Sequence, residues 1–555
     1  MGENRYQWAA AGDINAFFGL MLDNIAGLVL AVGMLSGIFG FPVEFALRYM
    51  VPGTAIGVFV GDMLFFWLAF RYARQTGKTN VTAMPLGLDT PSTIGVVLFV
   101  IGPAFLAAKA KLAEAGAAVG EAAGSIEFAA ATEAWHVGIC ALFIMGVFKL
   151  VMSFGSRWIQ NVFPRAGLLG SLAAIALCLI AFTQMPKLAM SPIVGFTSLV
   201  IVLVTLIGRG KLPLRIPGAL GAVLVGSLVW YLMVGADAAF GTELVSAEGH
   251  GTEPIWFPQE WMQAFTFEWF GAMQIAMGYL PYIIPFALAT VIGGIDCAES
   301  AKSVGDDFNT NTVIGVEAIA TILAAFCGGV IQTTPYIGHP AYKAMGGRAA
   351  YTLATALFIA GAGVIGYFGL VLQWIPEAAV LPILIFIGLE ITAQSFHATP
   401  KRHYAALAVA CIPAMAKLVM IYVGQFVSDP SSLAPHLQDL MLHLSVLAGG
   451  FIMTSLIWAS ATAKIVDRRY YSASIYMALG GMLVLFGVMH SPLAGDKMFL
   501  PWNLANPDIF DAGAKQVVIQ FAIAYLVMAM ILFLIGTLSK EEPIDTDEQY
   551  ENLSA

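Results

Sequence analysis

The chain has 555 residues, of which 59% are hydrophobic and only 11% charged, with a formal net charge of -9. A soluble domain needs roughly a quarter of its residues charged to cover its surface, so a soluble globular protein is excluded. The acidic balance leaves no basic face for nucleic acid.

Residues 1–16 carry Glu3 and Arg5 and no short apolar core ahead of a small-residue cleavage site. They are expected to stay as a cytoplasmic extension, with the first span driving insertion. Uncharged apolar runs of about twenty residues then recur along the chain, each long enough to cross a bilayer. Residues 17–235 hold seven, near 17–39, 50–70, 91–108, 134–153, 166–183, 191–208 and 216–235. Residues 236–279 form an extracytoplasmic loop, free of Lys and Arg from Ala236 to Glu260, and an aromatic stretch (Trp261, Phe265, Phe267, Trp269, Phe270) that suits an interfacial helix. Residues 280–460 hold a second series, near 280–303, 312–330, 340–347, 350–373, 378–396, 404–424 and 437–460. Two further spans, near 473–490 and 516–537, occupy residues 461–538. Residues 539–555 carry Glu541, Glu542, Asp545, Asp547, Glu548 and Glu551 and read as a solvated, disordered cytoplasmic tail.

With the amino terminus inside, the inner turns hold Arg71, Arg74, Lys78, Arg157, Arg165, Arg209, Lys211, Arg215, Lys343, Arg348, Lys401, Arg402, Lys464, Arg468 and Arg469. The outer side holds only Arg48, Lys109, Lys111, Lys187, Lys497 and Lys515. This bias predicts both termini in the cytoplasm of a cell whose inner membrane houses the protein.

Two segments interrupt the spans in the same way. Thr82 to Pro91 (TAMPLGLDTP) precedes the third span and Thr333 to Pro340 (TTPYIGHP) precedes the tenth. A proline ahead of the glycine favours extended backbone, and one after it suits a first helical turn. Irregular backbone at membrane depth is tolerated only where protein or a polar cavity surrounds it, and a matched pair of such breaks points to a transporter's binding site. Asp89, Thr334, Tyr336 and His339 are the polar side chains these segments offer; for Asp89 and His339, helix capping is the competing role. Intramembrane acids add Asp23 (beside Asn24), Asp62, Asp296 and Glu299. Asp296 and Glu299, three apart, share a helix face, where paired carboxylates suit proton coupling; pairing of the acid with Lys302 is the alternative.

Other motifs fail. Gly77-Lys78-Thr79 lacks the first glycine of a phosphate loop, where Tyr72 stands, and Cys140, Cys178, Cys297, Cys327 and Cys411 are too scattered for a metal or disulfide framework.

Glu299-Ser300-Ala301-Lys302-Ser303-Val304-Gly305-Asp306 resembles the eighth-span region of the nucleobase/ascorbate transporter family (xanthine/uracil permeases). Gly328 to Thr334 is similar to that family's lead-in to the tenth span, and Leu381 to Gly388 to the twelfth span of its purine branch. The resemblance implies an all-α polytopic protein with a seven-plus-seven inverted repeat, a core of spans 1–4 and 8–11 and a gate of the rest of each repeat; the two extra C-terminal helices lie outside it. It implies an elevator-type permease for a purine or pyrimidine base, with an acid at Glu299 on the substrate, H+ or Na+ as coupling ion and no cofactor. Sulfate and bicarbonate transporters share this fold and an eighth-span Glu, so a small anion or carboxylate is the alternative substrate. A polytopic enzyme is the reading from another class, and no catalytic constellation near a membrane face supports it. The expected partners are a small-molecule substrate and the lipid bilayer, with a homodimer left open.

Overall fold

The computed structural model describes residues 6–117, 123–155, 164–213, 216–244, 255–336, 338–427, 430–493, 496–507, 509–510, 512–539 and 541–551. Arg157 and Arg215 of the basic turns, and Ile337 of the second break, lie outside them. The chain is an all-α, multi-pass membrane protein: ten helices are long and apolar enough to cross a bilayer, an eleventh candidate is a bent pair, and four shorter apolar helices accompany them among the described residues.

The first half runs α1 (Gly12–Phe39), α2 (Val43–Thr76), strand β1 (Leu86–Leu88), α3 (Thr90–Glu114), α4 (Gly124–Met152), α5 (Arg165–Met190), α6 (Pro192–Ile207) and α7 (Gly218–Phe240). The second runs α8 (Leu280–Ser303), α9 (Thr310–Phe326), strand β2 (Thr333–Pro335), α10 (His339–Ala344), α11 (Ala350–Val364), α12 (Glu377–His397), α13 (Lys401–Phe426) and the bent α14 (Pro435–Ala448 with Phe451–Val466). Each half has seven helices, with a strand between its second and third. This shared order of seven helices and one strand is the seven-plus-seven repeat expected from the sequence. The two extra helices are α15 (Tyr470–Leu485) and α16 (Ala512–Leu538).

Contacts gather the chain into two compact units. One comprises Met1–Ser156, Thr183–Met277 and Phe286–Phe386; the other comprises Arg157–Phe182, Gly278–Pro285 and Ile387–Ala555. Helices α6 and α7, which the resemblance assigns to the gate, fall in the first unit together with α1–α4 and α9–α11.

In the first unit the sequence pattern that brings α2 close to its neighbours is a glycine at every fourth position: Gly53, Gly57 and Gly61. A β-carbon on Gly53 would stand 2.2 Å from the Cys327 carbonyl oxygen, on Gly57 2.6 Å from Ala324, and on Gly61 2.7 Å from Leu86. Small residues on one face let helix backbones approach in a bilayer, where dispersion and not water drives packing. This stripe presses α2 onto the lead-in to β2 and onto β1. The aromatic stretch after α7 differs from the single interfacial helix expected. It breaks into short turns over Glu260–Thr266 and Glu268–Ala272, burying Trp269 while Phe265, Phe267 and Phe270 stay exposed.

In the second unit α15 and α16 join α14 around Ile457, Met477, Val484, Phe499, Val518 and Tyr525. The expected continuous fourteenth span is instead bent by 69°. Gly450 there adopts φ 63°, and a β-carbon on it would stand 2.0 Å from the Val488 carbonyl oxygen. The turn after α15 fills the bend, with the His490 amide donating to the Gly449 oxygen at 2.8 Å and the His490 ring 2.9 Å from the Tyr525 hydroxyl. The expected span over 350–373 likewise divides, into α11 and a short helix Phe368–Trp374.

The acidic tail is not disordered over its described residues. Ile544 is buried and its amide donates to the Asp467 carbonyl at 3.1 Å. Asp547 lies 2.9 Å from Arg402, and Asp545 lies 2.6 Å from Arg469. Like charges within the tail are offset by the basic turns it lies on. The Asp467 carboxyl beneath it would be raised by burial, yet hydrogen bonds from His403 and Arg402 outweigh this and hold it below the usual carboxylate range.

Candidate functional site

Thr82 to Asp89 and Thr333 to Tyr336 are non-helical and pair with each other, whereas Thr90–Pro91 and His339–Pro340 already open α3 and α10. β1 and β2 run antiparallel with Leu86 opposite Pro335, Gly87 opposite Thr334 and Leu88 opposite Thr333. The ladder extends one step each way, through Asp89 N–H to the Gln332 oxygen at 3.0 Å and Tyr336 N–H to the Pro85 oxygen at 2.8 Å. A two-stranded sheet leaves two edges of backbone polar groups, and within apolar surroundings each must find a partner. Those edges are where the buried polar side chains of the first unit are spent.

On the β1 edge, Asn24 of α1 accepts from the Leu88 amide at 3.1 Å, and Asp62 of α2 accepts from the Leu86 amide at 3.3 Å. On the β2 edge, the Thr333 carbonyl accepts from Lys149 of α4 at 2.9 Å, and the Pro335 carbonyl from the Cys297 thiol of α8 at 3.2 Å. Proline suits position 335 because an outward N–H there would have needed one more acceptor. Asn24, Asp62 and Lys149 are fully buried.

Gly87 and Thr334 face each other at the centre of the pair, and Thr334 keeps part of its surface while its neighbours Thr333 and Pro335 are buried. Asp23 stands against this position, its Oδ2 3.3 Å from where a Gly87 β-carbon would lie. Tyr336 and Asp23 are also partly exposed. Cys297 ties α8 to β2, and its neighbour Asp296 is partly exposed, with Glu299 exposed three residues further on. Asp23, Thr334 and Tyr336 are therefore the partly exposed polar side chains of the crossing, with Asp296 beside the Cys297 that reaches it.

Two of the sequence-predicted residues have other employment. Asp89 is buried and caps α3, its Oδ2 accepting from the Ser92 amide at 2.9 Å. His339 is fully buried, with Nε2 3.1 Å from Asp306, which also takes Lys343 at 2.7 Å and the Thr82 amide at 3.2 Å. Burial alone would raise the Asp306 carboxyl, but the hydrogen bonds from His339 and Lys343 outweigh it and hold it below the ordinary range. His339 thus anchors the start of α10. The proposed pairing of Glu299 with Lys302 is not the one formed by the lysine, which lies 3.2 Å from Asp307.

Sequence reasoning passed over Lys149, Glu317, Asp306 and Gln332. Lys149 and Glu317 were detectable, each being a charge inside an apolar run; they lie 2.8 Å apart with both side chains fully buried. Among the described residues, no group of three His, Cys, Asp or Glu side chains is placed to hold a metal ion.

No protein-family model matches the chain, and no curated protein matches it. Among solved structures, the chain resembles the transmembrane domain of a cyanobacterium bicarbonate transporter, BicA. The identity is 14%, with 81% of this chain and 97% of that one covered and a TM-score of 0.41. It also resembles the overall structure of SLC26A9, at 13% identity over 75% of this chain and 65% of that one, with a TM-score of 0.43. A third likeness is to the murine Slc26a9 anion transporter in the inward-facing state, at 14% identity over 76% and 69% of the two chains, with a TM-score of 0.35.

Proposed function

We propose that this protein is an ion-coupled secondary transporter that binds a small polar solute at the β1–β2 crossing. The observation that carries the reading is the crossing itself. Two matched breaks, one from each half, pair by backbone hydrogen bonds in the interior of a multi-pass membrane protein and leave Thr334 and Asp23 partly exposed at their centre. A purely structural connection has no need of irregular backbone at that depth. The whole crossing belongs to the first unit, which supports an elevator-type cycle in which that unit carries the solute.

The solute class we assign first is a small anion or carboxylate. The buried Lys149 ammonium donates to the Thr333 carbonyl and places positive charge beside the crossing. The bicarbonate and anion transporters named above belong to the same solute class. A nucleobase is the second reading, favoured by the accessible carboxylates Asp23, Asp296 and Glu299, which accept from ring N–H groups. The coupling ion is H+ or Na+, and the protein sits in the inner membrane with both termini in the cytoplasm.

A thermal-shift screen of small anions, carboxylates and nucleobases on purified protein tests the assignment, since a ligand held by the folded state raises its melting temperature. Uptake of the best ligand into proteoliposomes then separates a transporter, which accumulates unchanged solute, from an enzyme, which alters it. Stabilisation by bases alone would replace the anion reading with the nucleobase one.

A further inference from the structure

Lys149 is a fully buried lysine on a membrane-spanning helix. Its ammonium meets three oxygens: Glu317 Oε1 at 2.8 Å, the Thr333 carbonyl at 2.9 Å and Thr321 Oγ1 at 3.0 Å. Two of these are hydrogen bonds, to the Thr333 carbonyl and the Thr321 hydroxyl, and the third is the ion pair with Glu317. One carboxylate, one hydroxyl and one main-chain carbonyl are also the kind of oxygen set that holds an alkali cation where backbone is unwound in a transporter.

Packing alone does not account for the pair. An apolar pair of the same volume holds helices together as well as a buried ion pair, or better, because both charges lose their hydration. The location is specific in another way. Thr333 is adjacent to Thr334 at the centre of the crossing, Thr321 and Glu317 lie one turn apart on α9, and Lys149 comes from α4. The cation therefore joins a helix of each half to the strand that carries the site.

We infer that Lys149 is a tethered cation filling the position of a coupling sodium ion, so that the protein works without sodium. The inference rests on the transport reading given above. A tethered ammonium cannot leave with the solute, and while it stays no alkali ion can enter. Removing the side chain back to Cβ leaves the three oxygens, a space, and the uncompensated charge of Glu317. Sodium is the small cation that fits this set, and choline is too large to enter.

The test uses the purified full-length protein, with melting temperatures measured in sodium chloride and in choline chloride at equal ionic strength. Wild type is expected to melt at the same temperature in both. Lys149→Ala is expected to melt lower than wild type in choline and to regain part of the loss in sodium. Lys149→Met, which fills the space without a charge, is expected to show no sodium response, and adding Glu317→Gln to Lys149→Ala should abolish that response. In proteoliposomes, wild-type uptake should not depend on sodium, whereas Lys149→Ala should require it. The inference is overturned by wild-type stabilisation or uptake that depends on sodium, by a Lys149→Ala protein indifferent to sodium, or by one that folds in neither salt. Melting reads the cation position without transport. A sodium-stabilised Lys149→Ala in a protein that moves no solute would therefore retire the transport reading and keep the cation position.

Discussion

At the scale of single residues, the crossing separates acids that hold the backbone from acids that remain accessible. Asp62 and Asp89 accept from amides of β1 and α3, so these carboxyl groups are already engaged with the backbone. Glu299 is the exposed member of the α8 pair, and the transport reading proposed above makes it the candidate acid for the solute. Glu299→Gln exchanges one acceptor oxygen for a donor and removes the charge. Losing such an acceptor typically costs about 1–3 kcal/mol, or roughly five- to a hundredfold in affinity. We expect Glu299→Gln to fold normally and take up solute poorly per folded molecule, and Asp296→Asn to be milder. Uptake near wild type with Gln at 299 would remove Glu299 from the site. Asp306 behaves differently, because its role is structural. Its carboxyl is fully buried between His339, Lys343 and the Thr82 amide. Breaking a buried pair by neutralising one partner costs about 3–5 kcal/mol. The folded-state value lies below the ordinary 3.8, so the stabilisation is present above that value and is lost as pH falls through the folded one. Asp306→Asn should melt lower at neutral pH and show a shallower decline than wild type on acidification below about pH 4. Equal acid slopes would mean that the carboxyl is not held in the paired state described.

At the scale of elements, the strand pair was legible because proline and glycine constrain the backbone through their own chemistry. Pro85, Gly87, Pro91, Pro335 and Pro340 mark extended segments and helix starts wherever they fall. What partners those segments was not legible, since Lys149 reaches the strand from α4, 184 positions earlier. The same distance hid the role of His339, whose partner Asp306 lies 33 positions earlier. The bend in α14 was hidden for another reason. Gly449 and Gly450 sit in an apolar run that reads as one span, and only the turn at Val488–His490, which occupies the bend, makes them necessary. Gly450→Ala tests this: the new methyl would meet the Val488 carbonyl, and φ of 63° disfavours any L side chain. We expect a loss of well over 1 kcal/mol, seen as a lower melting temperature, whereas Gly→Ala at the open position Gly235 should be neutral. A Gly450→Ala protein as stable as wild type would mean that the bend is not fixed by that turn.

At the scale of the whole molecule, the distribution of charge organises each unit. In the first, the amino-terminal segment lies on the basic turn after α10: the Ala349 and Ala350 amides donate to the Trp8 oxygen at 2.9 Å, and the Arg348 amide donates to Asp13 at 2.8 Å. In the second, the acidic tail lies on Arg402 and Arg469. Both termini therefore contact turns that the charge bias assigns to one membrane face. A tail that binds those turns also explains why an acidic segment adjoins a basic surface without extending from it. If these turns face the cytoplasm, single cysteines placed at Arg71, Arg74, Lys401 or Arg402, in a background without the native five, should resist an impermeant thiol reagent added to intact cells. They should label once the membrane is opened. A cysteine at Lys187 or Lys497 should label from outside in intact cells. Because the termini touch the turns in both units, labelling at the inner set from outside would overturn the placement of the two ends together with the charge argument.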